Sequence, residues 1–336
     1  MQKKISMIDL ARKFNVSKVT ISKALNDKEG VSEELRKQIK QAAEEMGYRI
    51  NNVARSLRTK KMSNIGLLIA ERYMGINNSY YFGVCGKIIA RLNELNYSSI
   101  METLTEKMEN ELQLPLMYND GKIDALVIIG QLKTEYLRLF FDFDIPVIFF
   151  DFYINEGDIP SIVIDNFYSG YAITNLLIEK GYQEIGFVGN LYSTSSIQDR
   201  FLGFYRALLE QKIIINYNYF ISDRDDEGHL INLILPKQMP KAFVCNNDEV
   251  AYRLIQILNK NGYHVPNDIA VVAFDNTIYS TISHPSLTTV DNNVDEMVNV
   301  ACKVILKKIS NPNKKYDRIC IKSRIIERDS ILMNLI

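Results

Sequence analysis

Ionisable and amide side chains recur where short apolar runs of this chain end. Asp151 follows Val147-Ile148-Phe149-Phe150, Asn247-Asp248 follows Phe243-Val244, and Asp275-Asn276 follows the run from Val271 to Phe274. Arg200 opens a helical stretch after the polar loop Ser193-Thr194-Ser195-Ser196, and Asn292 comes after Leu287-Thr288-Thr289-Val290. If the runs are parallel strands, these residues sit on the sheet edge that faces the ligand crevice of an open α/β fold. A carboxylate accepts from hydroxyls, a carboxamide accepts and donates, and a guanidinium forks onto two oxygens. Together they suit a small polyhydroxylated molecule. Tyr80 and Tyr81, just ahead of the helical stretch from Phe82, add apolar faces with polar tips. Taken singly, an Asp or Asn at a strand end more often caps the next helix, and the two tyrosines serve equally well as core.

The elements that must position these groups are legible. Continuous apolar runs at 65–70, 125–129, 146–150, 162–164, 185–188, 242–244 and 269–274 read as strands buried on both faces. Stretches of helical period lie between them, from Phe82 to Asn96, Tyr168 to Lys180, Arg200 to Gln211 and Glu249 to Asn261, and Gly181 and Gly262 stand where helix ends need them. This alternation predicts α/β architecture with largely parallel sheets. About ten strands exceed one comfortable open sheet, so two lobes are expected. No nucleophile elbow, phosphate loop, dinucleotide fingerprint or zinc-protease motif occurs, which points away from an enzyme. The acidic run Asp223, Asp225, Asp226 and Glu227 reads as a solvated loop. Cys85, Cys245, Cys302 and Cys320 form no CxxC pair and read as small buried thiols of a reducing cytosol. His229, His264 and His284 form no ligand cluster, so neither metal nor cofactor is expected.

The first 61 residues are different in kind. Ser6 caps a helix with Asp9 three residues on, Asn15-Val16 turns, Ser17 caps a second helix through Leu25, and Ser32 caps a third that stops at Gly47. Leu10, Ala11, Val16, Ile21, Ala24 and Leu35 are the apolar positions that pack them. Two short helices on a tight turn make a helix-turn-helix, although three amphipathic helices can also be a plain bundle. Charge separates the readings. The chain holds 40 Lys and Arg and 40 Asp and Glu. Residues 1–61 carry 15 against 7, a net of +8, and the remainder a net of −8. A neutral chain with its positive charge at one end suits phosphate binding there. The tail from Asn51 to Lys61 is basic and coreless, and is expected to become helical only against a partner.

Val16-Ser17, Thr20-Ile21-Ser22, Leu25-Asn26, Val31-Ser32, Gly47-Tyr48 and Asn52-Val53-Ala54-Arg55-Ser56-Leu57 together resemble the lac-repressor/gal-repressor family, and the resemblance runs through nearly the whole chain. It implies a helix-turn-helix DNA-binding domain at 1–50, a hinge at 51–62, and a two-lobed periplasmic-binding-protein-like domain at 63–336 that binds an effector and dimerises. Lobe 1 is placed at about 63–163 and 293–318, lobe 2 at about 164–291 and 319–336, with crossings near Ile164, Asp291 and Arg318. By the resemblance, Arg200, Asn247 and Asp275 contact the effector, with Asp151, Tyr80, Tyr81 and Asn292 beside them. Lys18 and Val19 point at major-groove base edges: Lys donates to guanine, and Val packs on a thymine methyl. Ser17, Thr20, Ser22, Lys23 and Asn26 fit base or backbone contacts. Asn52, Arg55 and Leu57 belong to the hinge, Leu57 as a minor-groove wedge.

The implied function is a sequence-specific transcriptional regulator, a repressor, binding near-palindromic operator DNA as a homodimer and controlled by a small effector, a sugar being the commonest class. The competing class is a sugar-binding or sugar-modifying α/β protein with no DNA role. The chain ends seven residues after Asp329 without a heptad tail, so dimers rather than tetramers are expected. No apolar run approaches a membrane span and no signal core precedes the first helix, so a cytoplasmic protein without membrane contact is expected.

Overall fold

The computed structural model describes residues 5–48, 62–75 and 79–332, and the chain divides into two compact units at Met62 and Ser63. In the first unit, α1 (Met7–Phe14), α2 (Lys18–Leu25) and α3 (Glu33–Glu45) pack around Leu10, Ile21, Ala24 and Ile39, with Val16 and Leu35 at its margin. Local chemistry sets each boundary. The Asp9 carboxylate accepts from the Ser6 backbone N–H at 2.8 Å, and the left-handed backbone of Asn15 (φ 49°) ends α1. Ser17 and Ser32 each accept from a backbone N–H of the first turn they cap. The loop between α2 and α3 is gathered by Arg36, whose guanidinium donates to Asp27 and to the carbonyls of Lys28 and Val31.

The second unit holds two sheets. The first runs β10-β5-β4-β3-β1-β2, all parallel: Ile319–Ile321, Ser161–Ile164, Val147–Phe150, Ala125–Ile129, Asn64–Ala70 and Ser98–Leu104. The second runs β11-β9-β8-β7-β6: Arg324–Ile326, Thr288–Asp291, Ala270–Phe274, Ala242–Cys245 and Ile185–Val188, with only β11 antiparallel. Helices cover both faces, so the inner strands are buried twice over. On β8, Val272 and Phe274 enter one core with Phe187 and Phe204, while Val271 and Ala273 enter the other with Val250 and Leu254. The period of two divides a continuous apolar run between two cores.

The chain crosses between the lobes after β5, after β9 and after β10. The third crossing corrects the expectation of one near Arg318. Ile319–Ile321 pairs with Ile162–Ile164 and so belongs to lobe 1, and the chain passes to lobe 2 at Lys322-Ser323. Backbone pairing decides this; hydropathy of three residues does not.

Four long helices place the crevice residues: α4 (Ser79–Glu94) on lobe 1, and α5 (Asn166–Glu179), α6 (Ser195–Glu210) and α7 (Asp248–Lys260) on lobe 2. The crossing of α5 and α6 depends on two glycines. A Cβ on Gly170 would overlap the Arg200 carbonyl, and a Cβ on Gly203 would overlap backbone atoms of Phe167 and Tyr171. Backbone cannot yield as a side-chain tip can, so these positions exclude any larger residue. Gly86 on α4 meets open space. Gly203→Ala is expected to lower stability by at least about 1–3 kcal/mol in urea unfolding, and Gly86→Ala to raise it by about 0.5–1 kcal/mol. Equal effects from the two would contradict this account of the packing.

Candidate functional site

A cavity of about 280 Å³ lies between the lobes, at the carboxyl ends of their strands. Its lobe-2 wall is organised by Arg200, which is 4% exposed and stands over the Phe274 ring at 4.5 Å. Its Nε donates to Asn166 Oδ1 at 2.8 Å, Nη1 to the Asn246 carbonyl at 2.5 Å, and Nη2 to Asp275 Oδ1 at 3.2 Å. Asn292 Nδ2 donates to the same Asp275 oxygen at 2.9 Å. The wall continues through Asn246, whose Nδ2 donates to Asp223, and Asp223 pairs with Arg224 at 2.8 Å.

The lobe-1 wall runs alongside. The Tyr81 hydroxyl donates to Asp151 Oδ2 at 3.0 Å, the Tyr81 ring lies 4.9 Å from that of Tyr73, and the Arg72 guanidinium stands 5.1 Å from the Tyr73 ring centre. Arg72 is held from behind by Glu109 and the Gln131 carbonyl. Both walls thus run from a carboxylate to an arginine. The carboxylates sit on unusual backbone, Asp151 at φ 69° and Asp275 at φ 101°, a conformation that bears strain for a residue with a side chain.

Hydrogen bonds close the lobes on each other around the cavity. Ser195 N–H donates to Gln131 Oε1 at 2.8 Å, the Tyr153 hydroxyl donates to Asp199 at 3.0 Å, and Asn292 Nδ2 reaches the Tyr80 hydroxyl at 3.3 Å. Among the described residues, Asp151 Oδ1 in the cavity wall and Asn292 Oδ1 behind it are buried without a hydrogen-bond partner. An unpaired acceptor in the wall calls for a donor from a ligand. Burial, then repulsion from Asp275, pushes the Asp151 carboxyl up to about 7. Burial and the same neighbour push Asp248 up to about 7, against donors from Thr277 and Thr289.

On the first unit, Ser17, Lys18, Val19 and Asn26 lie on the exposed side of α2, with Ser22 and Lys23 half-buried beside them. Val19 is 64% exposed, although it is apolar and beside a packed core. Ser17 and Thr20 share a hydroxyl contact at 2.9 Å that belongs to the helix cap, and Asn26 donates to the Ser22 carbonyl at 2.7 Å. Asn52, Arg55 and Leu57 lie outside the described residues.

Comparison with known proteins fixes the context. Residues 6–51 match the description "Bacterial regulatory proteins, lacI family", and residues 174–331 match a periplasmic binding protein-like domain. The HTH-type transcriptional regulator RegA of Clostridium saccharobutylicum is 30% identical over 334 residues, spanning 97% of this chain and 99% of that one. The chain belongs to the lacI family. The Ribose operon repressor of Haemophilus influenzae is 26% identical over 333 residues, covering 97% and 98% of the two chains. In fold, the lacI-family chain is similar to the lac repressor dimer bound to operator and the anti-inducer ONPF, with a TM-score of 0.76 at 20% identity, covering 98% of this chain and 100% of that one. Both expected architectures, helix-turn-helix and two-lobed α/β domain, are present. As a lacI-family member the protein is a DNA-binding transcriptional regulator governed by a small-molecule effector, and the relatives named here are regulators rather than enzymes.

The lacI-family structure brings six of the seven residues expected for the effector, Tyr80, Tyr81, Asp151, Arg200, Asn247 and Asp275, to one cavity. Asn292 stands just behind it on Asp275. Asn247 also caps α7, accepting from Val250 N–H at 2.9 Å, so the capping and wall readings hold together. Several expectations need correction. Arg200 lies in the second turn of α6, which begins at Ser195 because Thr194 accepts from Ile197 N–H. Tyr80 and Tyr81 are inside α4, not ahead of it. The run from Asp223 to Glu227 is not a solvated loop throughout: Asp223 is fully buried under Arg224 and Asn246. Cys320 is exposed, not buried. Arg72, Tyr73, Arg224, His229 and Glu249 line the cavity without having been singled out. Arg72 and Tyr73 follow β1 at the same carboxyl edge and obey the rule used for Asp151. Arg224 lies beyond an isolated bridge at Ile221, where no strand pattern marks the edge. Among the described residues no helix is long and apolar enough to cross a membrane.

The Asp151 shift has a stability consequence. Its carboxyl rises from an ordinary 3.8 to about 7 on folding, so the folded protein holds the proton more tightly. That contribution is complete below about pH 4 and is lost as pH rises to about 7, by up to about 1.4 kcal/mol per unit. Asp151→Asn removes the loss. In urea unfolding, the variant should gain on the wild type steadily between about pH 4.5 and 7; parallel curves would refute the assignment.

Proposed function

We propose that this protein is a homodimeric repressor whose grip on a near-palindromic operator is set by a sugar held between its lobes. The observation that carries the reading is the cavity wall itself. A buried Arg200 is fixed on three sides, and in the same wall Asp151 Oδ1 lacks a partner among the described residues. Ring hydroxyls are donors that such a surface can take, and the tyrosine faces supply the apolar contact that sugars accept. The sugar reading also draws support from relatives: a fold neighbour with a TM-score of 0.69 at 18% identity is a transcriptional regulator CelR–cellobiose complex. Arg200, Asp275, Asp151, Asn247, Asn292, Tyr80 and Tyr81 are the proposed effector contacts.

At the other end, Lys18 and Val19 are proposed to read base edges, with Ser17, Thr20, Ser22, Lys23 and Asn26 holding the helix on the DNA. On sequence grounds Asn52, Arg55 and Leu57 join this contact. Two-fold protein symmetry asks for two half-sites, so the operator should be near-palindromic. A ligand that closes or opens the crevice must alter operator affinity, and operator must alter ligand affinity by the same factor.

Fluorescence anisotropy on DNA from upstream of the protein's own gene tests the reading. Selective binding over scrambled DNA is expected, weakening steeply with salt. Lys18→Ala should weaken operator binding by about 1–3 kcal/mol, whereas Arg200→Met should leave it intact and abolish its response to sugar. Binding with no preference for any promoter fragment, or a sugar response surviving Arg200→Met, would overturn the proposal.

A further inference from the structure

Placing hydroxyls against Asp151 and Asp275 leaves two arginines of the crevice without a task. Arg72 ends the lobe-1 wall and Arg224 ends the lobe-2 wall. The polarity of the cavity is clear from what each group faces. Asp151 and Tyr80 lie in the field of Asp275 and Arg200. Tyr73, raised first by burial, has Arg72 and Arg224 as its nearest opposing charges. One end of the crevice therefore holds Asp151 and Asp275 with Arg200 between lobe-2 partners, and the other holds a guanidinium from each lobe, with the Glu249 carboxylate beside Arg224.

The two arginines are held from behind. Arg224 gives Nε and Nη2 to Asp223, and Arg72 gives Nη1 and Nη2 to Glu109. Arg224 is 9% exposed, its Nη1 makes no hydrogen bond among the described residues, and the residue lines the cavity. Gly228 lies against Arg72: a Cβ there would sit 3.7 Å from Arg72 Nε. His229, next in sequence, is also in the wall, paired with Asp225 at 3.4 Å. A purely structural reading makes Arg224 and Arg72 two buried ion pairs. Such pairs add little stability against the desolvation of both charges, and that reading leaves the Arg224 Nη1 donor unused. A guanidinium fixed on one edge and open on the other is suited to oxyanions.

Resting on the crevice being the effector site, we infer that the effector carries an anionic group, carboxylate or phosphate, seated between Arg72 and Arg224, with its hydroxyls turned toward Asp151 and Asp275. The ligand class is then a sugar acid or a phosphorylated sugar, not a neutral sugar. The carboxylates behind the arginines keep them oriented, and the ligand's own charge supplies the third partner.

Calorimetry and thermal shift on the full-length protein test this with matched sets: several hexoses and pentoses, each as the neutral sugar, the sugar acid and the phosphate, with inorganic phosphate as the minimal probe, all at one ionic strength. Within the best set, the anionic member should bind at least about tenfold more tightly than the neutral one, and the better of acid and phosphate names the group. Arg224→Gln and Arg72→Gln should erase that preference. Because Arg224→Gln leaves Asp223 buried without its cation, Arg224→Lys serves as a second variant and should reduce the preference without unfolding the chain. Tighter binding of the neutral member, or an anion preference that survives in the Arg72 and Arg224 variants, overturns the anionic subsite while leaving the crevice as the effector site. Absence of binding by every member, neutral and anionic alike, overturns both.

Discussion

A guanidinium withdrawn from water must find an acceptor for its donors, and in this protein that demand organises the crevice. Arg200 meets it with the carboxamide of α5, the carbonyl that follows β7 and the carboxylate that follows β8. Three separate elements of lobe 2 are thereby fixed relative to one another. Asp275, once held by Arg200 and Asn292, is the charge that Asp151 faces from the other lobe. The pairing is asymmetric: Arg200 meets Asp275, while Asp151 meets the Tyr81 hydroxyl at one oxygen and, among the described residues, forms no ion pair. The carboxylate left without a cation is the one pushed up by burial, and the cavity keeps an unmet demand for hydrogen-bond donors.

The lobes themselves are rigid by ordinary means. Parallel strands with helices on both faces bury apolar side chains on either side. What lies between the lobes is polar, with few bonds: Gln131 to Ser195, Tyr153 to Asp199, Tyr80 to Asn292. Each joins separately packed bodies linked by three crossings, two between side chains and one from the Ser195 backbone N–H. Such an interface can rearrange at small cost, because no apolar core is opened when it moves. Ligand groups that bridge the two walls act on this weak layer and not on the cores.

The helical unit follows a different economy. Its core is a handful of small apolar residues, and its boundaries rest on serine caps, an Asn turn and the Arg36 clamp. With so little burial, local capping accounts for a large share of the order, and α2 is left free to present Lys18 and an apolar Val19 to solvent.

Much was fixed by local sequence. Caps at Ser6, Ser17 and Ser32, apolar runs between helical periods, and the charge separation at residue 61 depend on neighbours within a turn or a strand, so they were legible without coordinates. Of the four edge strands, only Ile185–Val188, an unbroken apolar run, was legible in this way. Ser98–Leu104 mixes Ser, Glu and Thr with apolar residues because it borders solvent, and Ile319–Ile321 and Arg324–Ile326 are too short to carry a period; only backbone pairing assigns them, which is why the third crossing was misplaced. The strand-end rule found Asp151, Asn247 and Asp275 because the carboxyl edge of a parallel sheet is set by chain direction alone. It gave no warning that Asp223 is buried or that Arg224 faces the crevice, since both follow from a loop folding back beneath Asn190 and Asn246. Sequence by itself marked candidate ligand residues at the strand ends and the end of the chain that carries the helix-turn-helix. Tertiary structure decided which acceptors go unpaired and which cations share a wall, because those depend on distances between groups far apart in the chain.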